Sequence, residues 1–215
     1  MKRLIVLYTI LLMFSPIFAQ REINNGVVVD KQAEGIISKT SSKLKSESPI
    51  SIDFSLSTKE NRKSSSEKGS LTFNSNKYFA SFIDNKVYCD GKSVWIYNKD
   101  TKEVTINNVD NSENDILNIS KFVSDANKNY RAKLIRQEKG NYVIDLLPKK
   151  KSDISKVRLL INKQSSRINE MSLSYKSGNT YIYKITSYKV KVKTVDTDFV
   201  FQKKNFPNAT IVDLR

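Results

Sequence analysis

Apolar and polar positions alternate with a period of two along most of the chain and fall into helical spacing at two places. From Val27 to Lys45, the side chains Val28, Ala33, Ile36, Ile37 and Leu44 share roughly one face, with Lys31, Glu34 and Lys43 elsewhere. This predicts an amphipathic helix that opens the domain. It either closes one end of a sheet or serves as a movable lid, and the pattern favours plain closure. After Pro49 the period becomes two, as Ile50, Ile52, Phe54 and Leu56 alternate with Ser51, Asp53, Ser55 and Ser57 on a half-buried strand. The polar, charged stretch 59–68 predicts a hairpin loop. Leu71 and Phe73 follow on a second alternating strand, and Tyr78, Ala80 and Phe82 continue the meander.

Further strands are predicted over Val87–Cys89, over Ser93–Asn98 after an Asp90-Gly91 turn, and over Glu103–Val109. Between Glu113 and Asn129, the residues Ile116, Leu117, Ile119, Phe122, Val123 and Ala126 return to helical spacing and predict one or two short helices. Strands resume at 131–137, 142–147, 157–161, 168–175 and 180–192, and a last short strand carries Phe199 and Phe201. The connections are too short for parallel crossovers, which need about a dozen residues or more. The expected fold is mainly β: one antiparallel sheet, strongly twisted and curled, with two helical inserts.

The start of the chain reads differently. Lys2 and Arg3 precede an apolar run from Leu4 to Phe14, then Ser15, Pro16 and Ala19, the pattern of an export signal cleaved after residue 19. The run is shorter than the roughly 20 residues that span a bilayer. Residues 20–215 are then expected to form a single domain. The one cysteine, Cys89, excludes an internal disulfide. The formal net charge of +15 is dispersed, with Lys149, Lys150 and Lys151 the longest run. An exported protein meets little nucleic acid, so this charge points to an anionic membrane surface or to plain solvation. A monomer is expected.

The side-chain inventory narrows the chemistry. With no histidine and one cysteine, the chain lacks the usual general base and the thiolate sets that hold transition metals. Its six glycines form no phosphate-cradling motif. Carboxylates such as Asp53, Asp84, Asp90 and Asp145 exist, but no spacing selects an acid/base pair. A binding protein without metal or cofactor is the expectation, not an enzyme. Ten Phe, ten Tyr and one Trp on alternating strands demand an apolar interior. Periodicity does not separate a filled core from a cavity. The inward strand faces expected to carry a ligand are assigned Ile52, Phe54, Leu56, Leu71, Phe73, Tyr78, Phe82, Trp95 and Tyr97, with Ile36 and Ile37 of the first helix as the lid.

Two blocks carry a family resemblance. Residues 76–106 hold N-K-Y-F-A-S-F, then V-Y-C-D-G-K-S-V-W-I-Y, then K-E-V-T-I, and the C-terminus holds F-V-F at Phe199–Phe201 and F-P-N-A-T-I-V-D-L-R at Phe206–Arg215. In order and spacing the chain resembles the LolA-type outer-membrane lipoprotein carriers. The resemblance implies an unclosed half-barrel of about eleven antiparallel strands, its apolar concave face covered by helices that shift aside for acyl chains. It implies a periplasmic carrier that takes acylated lipoproteins from an inner-membrane ABC transporter to an outer-membrane acceptor, without covalent chemistry. An alternative is a periplasmic binding module that senses lipids or lipoproteins and acts through a protein partner. Many members have a Lys-Arg-Pro-like segment after the second strand, whose Arg ties down the lid helix. This chain has Asn74, Ser75 and Asn76 there, so that Arg is not carried over and the fastening of the helix is open.

Overall fold

The computed structural model describes residues 21–24, 27–60, 63–82, 84–109 and 117–215; the expected export signal lies outside them. A short hairpin, β1 (Arg21–Asn24) and β2 (Val27–Asp30), precedes α1 (Lys31–Glu47). Then β3 (Ile50–Glu60), β4 (Lys63–Asn74), β5 (Lys77–Ser81), β6 (Asn85–Cys89), β7 (Ser93–Asn98) and β8 (Glu103–Asn108) run as an antiparallel meander. After α2 (Ile119–Asn129), a second meander follows: β9 (Tyr130–Glu138), β10 (Asn141–Pro148), β11 (Ile154–Asn162), β12 (Ile168–Tyr175) and β13 (Thr180–Val190). β13 pairs with β3, which joins the two meanders into one sheet of 12 strands once β14 (Thr210–Asp213) is added beside β8.

Helix α1 starts four residues later than its periodicity predicts. The β-branched run Val27–Val29 pairs with β1 instead, and Asp30 stops the strand by capping the helix. One Asp30 oxygen accepts from the Ala33 amide at 2.9 Å and the other from the Leu134 amide of β9 at 2.8 Å. Of the stretch 59–68, the described residues are strand and not loop: β3 and β4 stay paired from Thr58 opposite Ser65 out to Glu60 opposite Lys63. A hydrogen-bond ladder does not depend on apolar side chains, and this part of the hairpin carries polar ones on both faces. The expected strand at Phe199 and Phe201 is instead a 3-10 turn over Asp196–Phe199 and an extended crossing. From there the chain passes behind the sheet, so β14 reaches β8 in parallel, unlike the other neighbours in the sheet among the described residues.

The two faces of the sheet are covered by different parts of the chain. The larger core lies under α1 and α2 and takes in Ala33, Ile37 and Leu44 from α1 and Phe122, Val123 and Ala126 from α2. The smaller lies on the opposite face, where Phe201, Phe206 and Ala209 cover Val104 and Ile106 of β8 and the aromatic rings beside them. Among the described residues no helix is long and apolar enough to cross a membrane.

Candidate functional site

Residues directly opposite in an antiparallel pair point to the same side, so the register identifies the wall of the interior. Ile52 sits opposite Leu71 on one side and Tyr188 on the other; Ile50 sits opposite Phe73, and Leu56 opposite Tyr183. These side chains form one stripe across β4, β3 and β13. Ile168 and Met171 extend it onto β12, and Leu44 of α1 with Leu117 and Ile119 at the start of α2 lie over it. The space they enclose is about 40 Å³, lined almost wholly by carbon. That is room for a few water molecules at most.

Phe54 stands at the centre of this wall. Its ring meets Phe82 and Tyr183 edge-on at 5.7 and 5.5 Å. The neighbouring strand makes room with Gly69, where an added Cβ would lie 2.5 Å from Phe54 Cζ. Burial pushes the Tyr183 phenol up to about 12, so the wall stays uncharged here. Leu117 and Tyr183 also border an open cleft of about 380 Å³ shared with Phe82, Val87, Ile96, Leu173 and Tyr175, rimmed by Glu67 and Asp84. β6 and β12 meet across this cleft although four strands separate them in the sheet, which shows how far the sheet curls.

The structure brings most of the expected wall together. Ile52, Phe54, Leu71 and Phe73 line the interior, Leu56 and Tyr78 are buried in the same core, and Phe82 stands at the mouth cleft. From the helix, Ile37 is fully buried and Ile36 packs beside it. Trp95 and Tyr97 are the correction: both face the opposite side. Cys89 points inward with Tyr78, and Val94 is its partner on β7, so alternation turns Ile96 inward and Trp95 and Tyr97 outward. There Tyr97 packs on Phe206 at 4.4 Å, and Phe206 stacks on Phe201 at 5.0 Å. Four consecutive large apolar residues left the face of β7 undetermined by pattern.

Sequence reasoning missed Leu44, Leu117, Ile119, Ile168, Met171, Tyr183, Ile185 and Tyr188 as wall residues. For Tyr188 the reason is a bulge between Ile185 and Ser187, which shifts the phase so that Tyr188, not Ser187, faces inward. The carboxylates considered for chemistry do not converge in the interior. Asp90 accepts from the Lys92 and Ser93 amides in its turn, and Asp145 is clasped by Arg158 at 2.6 and 2.8 Å on the outer face. Among the described residues no group of three His, Cys, Asp or Glu could hold a metal ion.

The two helices are held differently. At the C-terminal end of α1, Glu47 is clasped by Arg167 and also paired with Lys43 at 2.9 Å. Burial alone would raise the Glu47 carboxyl, but Arg167 and Lys43 outweigh it and hold it down to about 2. The Arg167 guanidinium lies 4.5 Å from the centre of the Tyr188 ring, whose hydroxyl burial pushes up in pKa. For α2, Asn127 donates to the Glu34 carbonyl at 3.0 Å near its C-terminal end. At its N-terminal end Asn118 makes a long bond of 3.4 Å to the Asn76 carbonyl.

The family model described as outer membrane lipoprotein carrier protein LolA matches residues 50–202. No curated protein matches the chain. Among crystal structures, an uncharacterized conserved protein from Thermus thermophilus shares 12% identity at a TM-score of 0.56, covering 85% of this chain and 99% of its own. A DUF1329 family protein from Desulfovibrio piger shares 13% at a TM-score of 0.50, covering 82% and 98%. A LolA superfamily protein from Nitrosomonas europaea shares 12% at 0.46, covering 79% and 97%. At such identities the likeness to the Thermus and Desulfovibrio structures speaks to the fold alone.

Proposed function

The chain belongs to the LolA family of outer membrane lipoprotein carriers, and from that premise we propose that it shelters lipoprotein acyl chains and carries them from the inner to the outer membrane. The reading places the protein in the periplasm, exported by its leader over residues 1–19, as a monomeric carrier domain over 20–215. It takes an inner-membrane ABC transporter as donor and an outer-membrane acceptor as recipient. The single observation that carries it is the apolar interior under two helices, which shares Leu117 and Tyr183 with a neighbouring open cleft.

Energetics favour a helix-gated interior over a standing cavity. Burying acyl carbon stabilises a complex by roughly 0.8 kcal/mol per methylene, so a preformed dry cavity would release its cargo slowly. Here the free space is about 40 Å³, and entry of a chain requires the side chains over the wall to withdraw. Leu117 and Ile119 are the candidates, because they intrude at the less firmly tied end of α2, whereas α1 is clasped at Glu47. Displacing them costs free energy that offsets part of the burial. In this reading Ile36 and Ile37 belong to the fixed cover, and the moving part is the start of α2.

The test is uptake and transfer. Purified protein should bind a fluorescent fatty-acyl probe and a triacylated lipoprotein, keep the lipoprotein soluble, and give it up to an acceptor membrane. Absence of uptake would defeat the proposal. Stable capture of a protein partner without transfer between membranes would favour the sensing alternative.

A further inference from the structure

A second cleft, of about 440 Å³, lies against the first turns of α2. It is lined by Lys45 of α1, by Ser120, Lys121 and Ser124 of α2, and by Asn74 and Asn76 around the β4–β5 turn, with no carboxylate in its lining. Lys121 also pairs with Asp125 at 3.5 Å along the helix. Asn118 caps α2 by accepting from the Lys121 amide, so the two lysines, and not the helix end, carry the attraction for an anion.

This cleft and the apolar interior are lined by consecutive residues on each side. Phe73 of β4 faces the interior and Asn74 faces the cleft; Ile119 of α2 faces the interior and Ser120 faces the cleft. The seam between them is closed by the 3.4 Å bond from the Asn118 amide to the Asn76 carbonyl, a length at which hydrogen bonds are weak. The other cleft carries mixed charge, with Glu67 and Asp84 in its lining and the Lys99 ammonium on the Phe82 carbonyl at 3.1 Å. An amphiphile with a negative headgroup is therefore attracted to the side where Lys45 and Lys121 stand.

We propose that the Lys45–Lys121 cleft binds the phosphate of an anionic diacyl lipid whose chains lie in the apolar interior. The proposal rests on the carrier reading for the chains alone and adds a headgroup class to it. Hydroxyl and amide donors from Ser120 and Asn74 complete a shell suited to phosphate oxygens, and a neutral diacylglycerol would use the interior only.

The experiment compares phosphatidylglycerol and diacylglycerol carrying the same fluorescent chains, with inorganic phosphate as a third probe. Phosphatidylglycerol should bind about ten-fold tighter than diacylglycerol, as expected for two partly exposed charge pairs. Lys45→Glu with Lys121→Glu should erase that gap while leaving diacylglycerol binding intact, which also reports that the variant is folded. Lys150→Glu with Lys151→Glu, an equal change of charge elsewhere, should leave the gap unchanged. Equal binding of the two lipids by the native protein would overturn the headgroup site, as would loss of the gap in the control pair. Inorganic phosphate binding as tightly as the lipid would overturn it too, since the chains would then add nothing. Failure of both lipids to bind would instead defeat the carrier reading beneath it.

Discussion

Arg167, in the turn before β12, donates to both carboxylate oxygens of Glu47, the last residue of α1, with its shortest bond 2.7 Å from Nη2 to Oε1. The two residues are 120 positions apart, and their pairing ties the helix over the interior to the far meander of the sheet. It fastens α1 although Asn74, Ser75 and Asn76 occupy the segment where an Arg would be expected from the family resemblance.

Arg167→Ala should therefore loosen α1. The side chain of Glu47 is 10% exposed and that of Arg167 34%, between the regimes of surface pairs and fully buried ones. A loss of about 2 kcal/mol is expected from that intermediate position. Urea unfolding should show a lower midpoint with an unchanged slope.

The same carboxylate sets a pH dependence. Glu47 is held down to about 2 from an ordinary 4.5. A depressed pKa means that the unfolded chain takes up the proton first, so the stabilisation is complete above about 4.5 and is lost as pH falls towards 2. Glu47→Gln should flatten the urea midpoint against pH in that window, and an unchanged acid limb would count against the assignment.

Thr40 is completely buried on the inner face of α1, and its hydroxyl has no hydrogen-bond partner among the described residues. Thr40→Val keeps the shape and removes an unsatisfied polar atom, so it should stabilise the protein by about 1 kcal/mol. Thermal unfolding would register this as a rise in Tm.

Gly69 leaves the space that the Phe54 ring occupies. A methyl group there would meet Phe54 Cζ at 2.5 Å and the Ser81 carbonyl oxygen at 3.1 Å. Gly69→Ala should displace the ring from the centre of the wall, with a loss of roughly 1–3 kcal/mol. Acyl-probe affinity should change with it, whereas a substitution on the outer face of β4 such as Ser70→Ala should leave affinity alone.

The back-face cluster offers a separable readout, because the single tryptophan, Trp95, belongs to it. Phe206→Ala removes the ring that packs on Tyr97 and stacks on Phe201 and should cost about 2 kcal/mol, less than for a fully buried phenylalanine. Trp95 emission should shift to the red, while acyl-probe uptake stays close to the native value. A large loss of uptake in a folded variant would mean that the two faces are coupled.

Much of the fold was legible wherever burial alternates within one strand. Ile50, Ile52, Phe54 and Leu56 are all buried, and the intervening Ser51, Asp53, Ser55 and Ser57 are not, as their pattern predicts. Ser93–Asn98 and Ile168–Tyr175 have the expected bounds. The pattern failed where both faces are apolar, at Trp95 and Tyr97, and where neither is, at the polar end of the β3–β4 hairpin. It failed at Tyr188 because a bulge cannot be seen in alternation that continues on either side of it.

Periodicity and composition, both local properties, are enough to establish a curled, aromatic-rich sheet with two amphipathic helices and no histidine chemistry. The direction a strand's side chains face depends on the register of its neighbours, and a helix is fastened by residues far away in sequence. The join of β13 to β3, the parallel return of β14, the outward turn of Trp95 and the Glu47–Arg167 clasp therefore exist only in the folded arrangement. So does the near-closure of the interior, because free volume is a property of how side chains from distant segments meet, and no residue carries it alone.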